Sequence, residues 1–175
     1  LAQLSIQKLL TEALLPLQEL ELLACATASP DQVLPSHASM VHGLLKNAPM
    51  EIFSASGICL SCVQAFKIAY LSILAGDKRN AVCSCSELAS AGLLSKNFDV
   101  EYEKCANLGI QPYMALEKDF LRFMLSDGAS AVLLQDNPGK GKALHIEWVE
   151  MTSYANELPT CMFMGAEKEK NGELK

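Results

Sequence analysis

A layered α/β fold built on a buried, mostly parallel sheet is predicted by two patterns in this 175-residue sequence. Short, nearly continuous apolar runs recur at Leu20–Ala28, Met50–Ser54 and Asn80–Ser86, as expected of strands covered on both faces. Longer segments with helical apolar spacing lie between them, and that alternation is the signature of a parallel sheet with helices packed on it. A third observation is chemical: the run ending at Ser54 breaks at Ser54-Ala-Ser-Gly57 and delivers Cys59 to the start of a long helix.

Leu4, Ile6, Leu9, Leu10, Leu14 and Leu15 fall at roughly helical spacing before Pro16, so the spacing predicts a first helix over about 1–15. Pro30 and Pro35 bracket a loop after the first strand, and Ser36 is placed to cap a helix running through Lys46. The segment Cys59–Ala75 reads as a helix apolar on every face, the composition of a helix buried in a larger body or an interface. Gly76 suits a left-handed stop. Residues 89–119 carry no clear period, Phe120–Phe123 leads into Asp127-Gly128, and ASAVLLQ reads as a strand. Asn137 opens a turn, Leu144–Ser153 alternates as a final strand, and GAEKEKNGELK is a solvated tail.

Half of the residues are hydrophobic, enough for one domain with a sizeable core. A net charge of −6, with no Lys/Arg cluster interleaved with aromatics, argues against nucleic acid. Lys67 interrupts the longest apolar stretch, which argues against a membrane span. The seven cysteines lack a disulfide-like period and fit a reducing cytoplasm. Cys59-Leu-Ser-Cys62 and Cys83-Ser-Cys85 have no suitably spaced histidines, so no metal is expected.

A free cysteine usually behaves as a small buried hydrophobe. Cys59 differs by its position. The first turn of a helix has unpaired N–H groups and the positive end of the helix dipole, both of which favour a thiolate over a thiol. Gly57 allows the sharp turn that exposes the side chain. Such a thiolate can attack a carbonyl or thioester.

Four segments in order resemble the amino-terminal half of the thiolase superfamily, in its β-ketoacyl-acyl-carrier-protein synthase III branch. They are LLACATASPDQVLPSHASMVHGLL at 22–45, the Cys59 elbow with its helix, LAGDKRNAVCSCSELAS at 74–90 and LSDGASAVLLQ at 125–135. The resemblance implies one half of a duplicated, layered α/β architecture with a mixed, mostly parallel sheet. It places the amino-terminal half at 1–165, incomplete at its start, and a polar tail or linker to a carboxy-terminal half at 166–175.

The resemblance also implies that Cys59, rather than Cys62, accepts an acyl group from a thioester and then condenses it with a malonyl-thioester. No bound cofactor is implied, since coenzyme A or acyl carrier protein carries the substrates. The family's catalytic His and Asn belong to the half outside this chain, so His37, His42 and His145 are read as structural or surface groups, and the chain alone is expected to be inactive. The implied intact protein is a cytoplasmic homodimer in fatty-acid or polyketide-type synthesis. A thiolase, a hydroxymethylglutaryl-CoA synthase relative and a non-catalytic ketosynthase partner remain alternatives, although such partners often lose the cysteine.

Asp127-Gly128-Ala129 resembles the family's Gly-Asp-Gly-Ala turn, with Ser126 and Ser130 in place of glycines. Glu87 stands where the family often carries an acidic support, and a buried hydrogen-bonding role fits it better than a simple cap. Ser84 and Ser86 lack a partner histidine in sequence and are not read as nucleophiles. Phe98, Tyr102, Tyr113, Phe120 and Phe123 are expected in the core, or in an acyl pocket or subunit contact.

Overall fold

The computed structural model describes residues 1–99, 120, 122–137, 139, 141–159 and 169–173. Residues Leu1–Lys142 make one compact unit and Ala143–Lys175 a second. In the first unit, β1 (Leu22–Thr27), β2 (Glu51–Ser56), β3 (Asn80–Glu87) and β4 (Gly128–Gln135) form one sheet in the order β2-β1-β3-β4. The first three strands are parallel, and β4 runs antiparallel along β3. The sheet is therefore mixed and mostly parallel, as expected.

The helices are α1 (Ala2–Glu12), α2 (His37–Leu45), α3 (Leu60–Leu74) and a single turn, α4 (Ala89–Gly92). Ile6 and Leu10 of α1 and Val41 and Leu45 of α2 pack with Leu23 and Cys25 of β1 and Val82 of β3 in one apolar core. Alternate residues of a strand point to opposite faces, so Ala24 and Ala26 of β1 and Cys83 and Cys85 of β3 face the other side, where α3 lies. The buried residues of α3 are Ser61, Ala65 and Ala69, one per turn and all small, which lets the helix axis come close to the sheet. Ile6, Leu22, Leu23 and Val82 are among the fully buried side chains. Each is worth about 1.5–3 kcal/mol of transfer free energy.

The sequence predicts α3 as apolar all round, and the structure leaves one of its sides bare: Leu60, Val63, Leu71 and Leu74 are exposed. β2 and β4 are likewise less covered than β1 and β3. The amino-terminal edge of the sheet is stitched by polar groups. Arg79 pairs with Glu21 at 2.9 Å, Lys78 with Glu51 at 2.8 Å, and the Asn80 amide bridges the backbones of Glu19 and Glu21. The Arg79 N–H groups, backbone first and then side chain, hold the Glu21 carboxyl below its usual range.

In the second unit the expected strand over Leu144–Ser153 is not formed. No neighbouring strand pairs with it among that unit's described residues, and a lone strand leaves its backbone donors and acceptors unpaired. Leu144 and Trp148 are exposed there, and the chain turns at Tyr154–Leu158. Among the described residues, no helix is long and apolar enough to cross a membrane.

Candidate functional site

In the order β2-β1-β3-β4 the connection after β1 runs to β2 on one side and the connection after β3 to β4 on the other, so the carboxyl ends of β1 and β3 lie where the strand order reverses, the place where open α/β sheets bind ligands. The ends of the parallel strands meet there: Thr27 lies opposite Ser56, and Glu87 ends β3 two residues beyond the Ala26–Cys85 pair. β2 continues directly into the Cys59 elbow.

Gly57 takes φ +147°, a backbone region that side-chain-bearing residues rarely adopt, and the chain turns there from strand to helix. Cys59 occupies the cap position of α3 with helical dihedrals, makes no capping hydrogen bond through its sulfur, and is exposed. The Ser61 N–H donates to the Ile58 carbonyl at 2.9 Å and the Cys62 N–H to the Cys59 carbonyl at 3.4 Å, so the first turn closes around the cysteine. The sulfur is free and exposed at the amino-terminal end of a 15-residue helix, open to an approaching electrophile. The other free thiols differ. Burial pushes the Cys25 thiol up to about 12, with the nearby Cys83 adding to it, and pushes Cys83 to about 11. Both are inert hydrophobes at neutral pH.

Glu87 is the polar hub at these strand ends. One carboxylate oxygen accepts from the Ala28 N–H; the other accepts from the Ser29 N–H at 3.1 Å, the Ser29 hydroxyl at 2.6 Å and the Thr27 hydroxyl at 3.3 Å. All four donors belong to the end of β1 and the loop after it, so the carboxylate ties that loop to β3. Its role is thus the hydrogen-bonded support that the sequence favours.

The start of α2 is held in the same region. Ser36 accepts from the Ser39 N–H, the Ser54 hydroxyl accepts from the Ala38 N–H at 3.4 Å, and His37 Nε2 pairs with the Ser86 hydroxyl at 3.3 Å. Burial pushes the His37 pKa down, while the charges of Asp31 and Glu87 pull partly against it. His37 Nδ1 is buried without a hydrogen-bond partner. His42 contacts the Ala48 carbonyl instead, and His145 belongs to the second unit.

Asp127 accepts from the Ser90 N–H at 2.8 Å and the Ser90 hydroxyl at 2.6 Å, and these bonds hold its carboxyl below the usual range. It fastens the turn before β4 to α4. Phe120 and Phe123 are exposed rather than in the core, and Arg122 stacks over Phe98 at 4.1 Å. Tyr102 and Tyr113 lie outside the described residues.

Two features escaped the sequence reading. The partners of Glu87 come from Thr27-Ala-Ser29, whose spacing gives no hint of a carboxylate some sixty residues away. Cys62, expected to be a plain core residue among unpaired cysteines, is bonded to Cys85. The Cys-Leu-Ser-Cys and Cys-Ser-Cys spacings were the available signal, and the α3–β3 packing brings one cysteine of each motif together with Cα atoms 5.8 Å apart. Among the described residues no group of three or more His, Cys, Asp or Glu is placed to hold a metal ion.

No family model matches the sequence. Among curated proteins, β-ketoacyl-[acyl-carrier-protein] synthase III of Limosilactobacillus reuteri (strain DSM 20016) is 32% identical over 128 residues, 73% of this chain and 33% of the relative. The enzyme of the same name from Rhodospirillum centenum is 28% identical over 144 residues, 82% of this chain and 38% of the relative. The chain thus spans only about a third of the length of the curated relatives it matches. Among solved structures, cerulenin-bound Xanthomonas campestris OleA superposes with a TM-score of 0.60 at 24% identity, covering 77% of this chain and 38% of that one. The acetamide-bound form of OleA gives 0.59 at 24%, covering 75% and 39%. At that identity the likeness is one of fold.

Proposed function

We propose that this chain is part of a decarboxylative condensing acyltransferase of the β-ketoacyl synthase III-like branch of the thiolase superfamily, a reading supported by its likeness to the two synthases and to the OleA fold. The observation that carries the reading is the exposed Cys59 at the β2–α3 elbow. Its thiolate attacks the carbonyl of an acyl thioester, and the tetrahedral intermediate expels the carrier thiol to leave acyl-Cys59. A malonyl-thioester then loses carbon dioxide. Its carbanion attacks the acyl-cysteine carbonyl, the carbon–sulfur bond breaks, and the thiolate returns as a β-ketoacyl thioester departs.

Both transfers build negative charge on a carbonyl oxygen, and the backbone N–H of Cys59 is a donor suited to it. Glu87 supports the site without touching the reacting atoms: it holds the β1 loop in place. We read 1–165 as the amino-terminal half of the architecture and 166–175 as a linker. The decarboxylating His and Asn belong, by resemblance, to the other half. The substrates are carried on coenzyme A or acyl carrier protein, with no further cofactor. The bare side of α3 and the thinly covered β2 favour a homodimer. Three free thiols among the five described cysteines favour the cytoplasm, with fatty-acid or polyketide-type synthesis as the setting.

The test is condensation by the full-length protein, supplied with a short acyl-CoA and malonyl-acyl carrier protein. A β-ketoacyl thioester should form. Cys59→Ala should lower its rate by at least about a thousandfold, the scale of losing a nucleophile. An unchanged rate in Cys59→Ala would overturn the reading.

A further inference from the structure

Four of the five described cysteines gather on one side of the sheet. Cys59 and Cys62 span the first turn of α3, closed by the bond from the Cys62 N–H to the Cys59 carbonyl at 3.4 Å. Cys62 is bonded to Cys85 of β3, and the Cys83 thiol lies 3.9 Å from the Cys62 carbonyl. The outer cysteine is exposed and the inner one half-buried. A Cys-X-X-Cys pair at a helix start, outer sulfur exposed, is the arrangement in which thiol–disulfide exchange runs. Residues three apart on a helix bring their Cβ atoms within about 5–6 Å, and a slight opening of the first turn reaches disulfide distance.

We propose that Cys59, Cys62 and Cys85 form a thiol–disulfide exchange site that reversibly masks the acyl-accepting sulfur. The masking function rests on the reading of Cys59 as nucleophile; the exchange itself does not. The Cys59 thiolate attacks Cys62 Sγ. The Cys59–Cys62 bond forms as the Cys62–Cys85 bond breaks, and the electron pair leaves on Cys85, which takes up the proton that Cys59 gave up. No oxidant is consumed. Attack of the Cys85 thiolate on Cys62 Sγ reverses the exchange and returns the starting state; an external dithiol instead frees Cys59 by reducing Cys59–Cys62 to two thiols while becoming a disulfide itself, and leaves Cys85 a thiol. Cys25 takes no part, since it packs in the core on the opposite face of the sheet.

The exchange is read by trapping free thiols of the full chain, isolated without reductant, with N-ethylmaleimide and mapping peptides under non-reducing conditions. Two species are expected. One has Cys59 labelled and Cys62 joined to Cys85; the other has Cys85 labelled and a peptide containing Cys59 and Cys62 that is lighter by two hydrogens. In Cys85→Ser treated with oxidised glutathione, the Cys59–Cys62 loop should close, with loss of Cys59 labelling that dithiothreitol restores. Labelling of Cys59 alone with the Cys62–Cys85 link always intact would overturn the proposal, as would labelling of all three sulfurs without reductant, or failure of the loop to close in Cys85→Ser. A protein that exchanges in this map yet takes no acyl group would refute the condensing function and leave the exchange standing.

Discussion

At Glu87 a single carboxylate accepts from two backbone N–H groups and two hydroxyls of Thr27-Ala-Ser29. Bonds to an ionised acceptor contribute about 1.5–3 kcal/mol, and removing the acceptor leaves part-buried donors unmatched. Glu87→Gln turns one acceptor into a donor facing those groups. It should lower unfolding stability by about 1–3 kcal/mol in urea titration, and an unchanged midpoint would refute the hub role. Part of this was legible in the sequence, where Glu87 followed a strand and a buried supporting role was favoured over a simple cap, but its partners were not. A carboxylate's partners depend on strand register, and the pairing of Ala26 with Cys85 is a long-range fact that no local spacing encodes. Cys62 was misjudged for the same reason, since its partner sits on another element.

Elements were easier to read because their causes are local. The period of α1, the Ser36 cap, the left-handed Gly76 and the continuous apolar runs of β1 and β3 all follow from neighbouring residues, and the structure carries each of them. Gly57 is the most consequential of these local features, because it sets where α3 begins and so where Cys59 projects. A Cβ there would meet Ser61 Cβ at 3.9 Å, an ordinary contact, so space is not the constraint. The constraint is φ +147°. Gly57→Ala should cost about 1–3 kcal/mol of stability and slow alkylation of Cys59 by displacing the elbow. Unchanged unfolding and labelling would show that the strand-to-helix turn does not depend on glycine. The failed Leu144–Ser153 strand marks the limit of such reading: alternation describes a surface suited to a sheet, while strand formation needs a partner.

Across the whole molecule, the apolar surface on α3 and the thin cover of β2 and β4 describe a unit with more to bury than its own elements cover. The sequence composition of α3 anticipated this, because a helix apolar all round needs neighbours on all sides. The resemblance gave only a mixed, mostly parallel sheet, and that β4 is the antiparallel strand came from the structure, since the residues of a strand carry no direction. The division of chemistry follows the same scale. Under the proposed function, acyl transfer to sulfur falls to the Cys59 elbow, whereas decarboxylation falls, by resemblance, to the other half of the architecture.

The most direct measurement is the intact mass of the full-length protein, reduced beforehand, after incubation with a panel of acyl-CoA thioesters, beside Cys59→Ser. The account predicts a gain of one acyl group on the wild type for at least one thioester, reversed by hydroxylamine and absent from Cys59→Ser. An equal gain on both proteins, or none on a wild type whose Cys59 is freely alkylated, would contradict it.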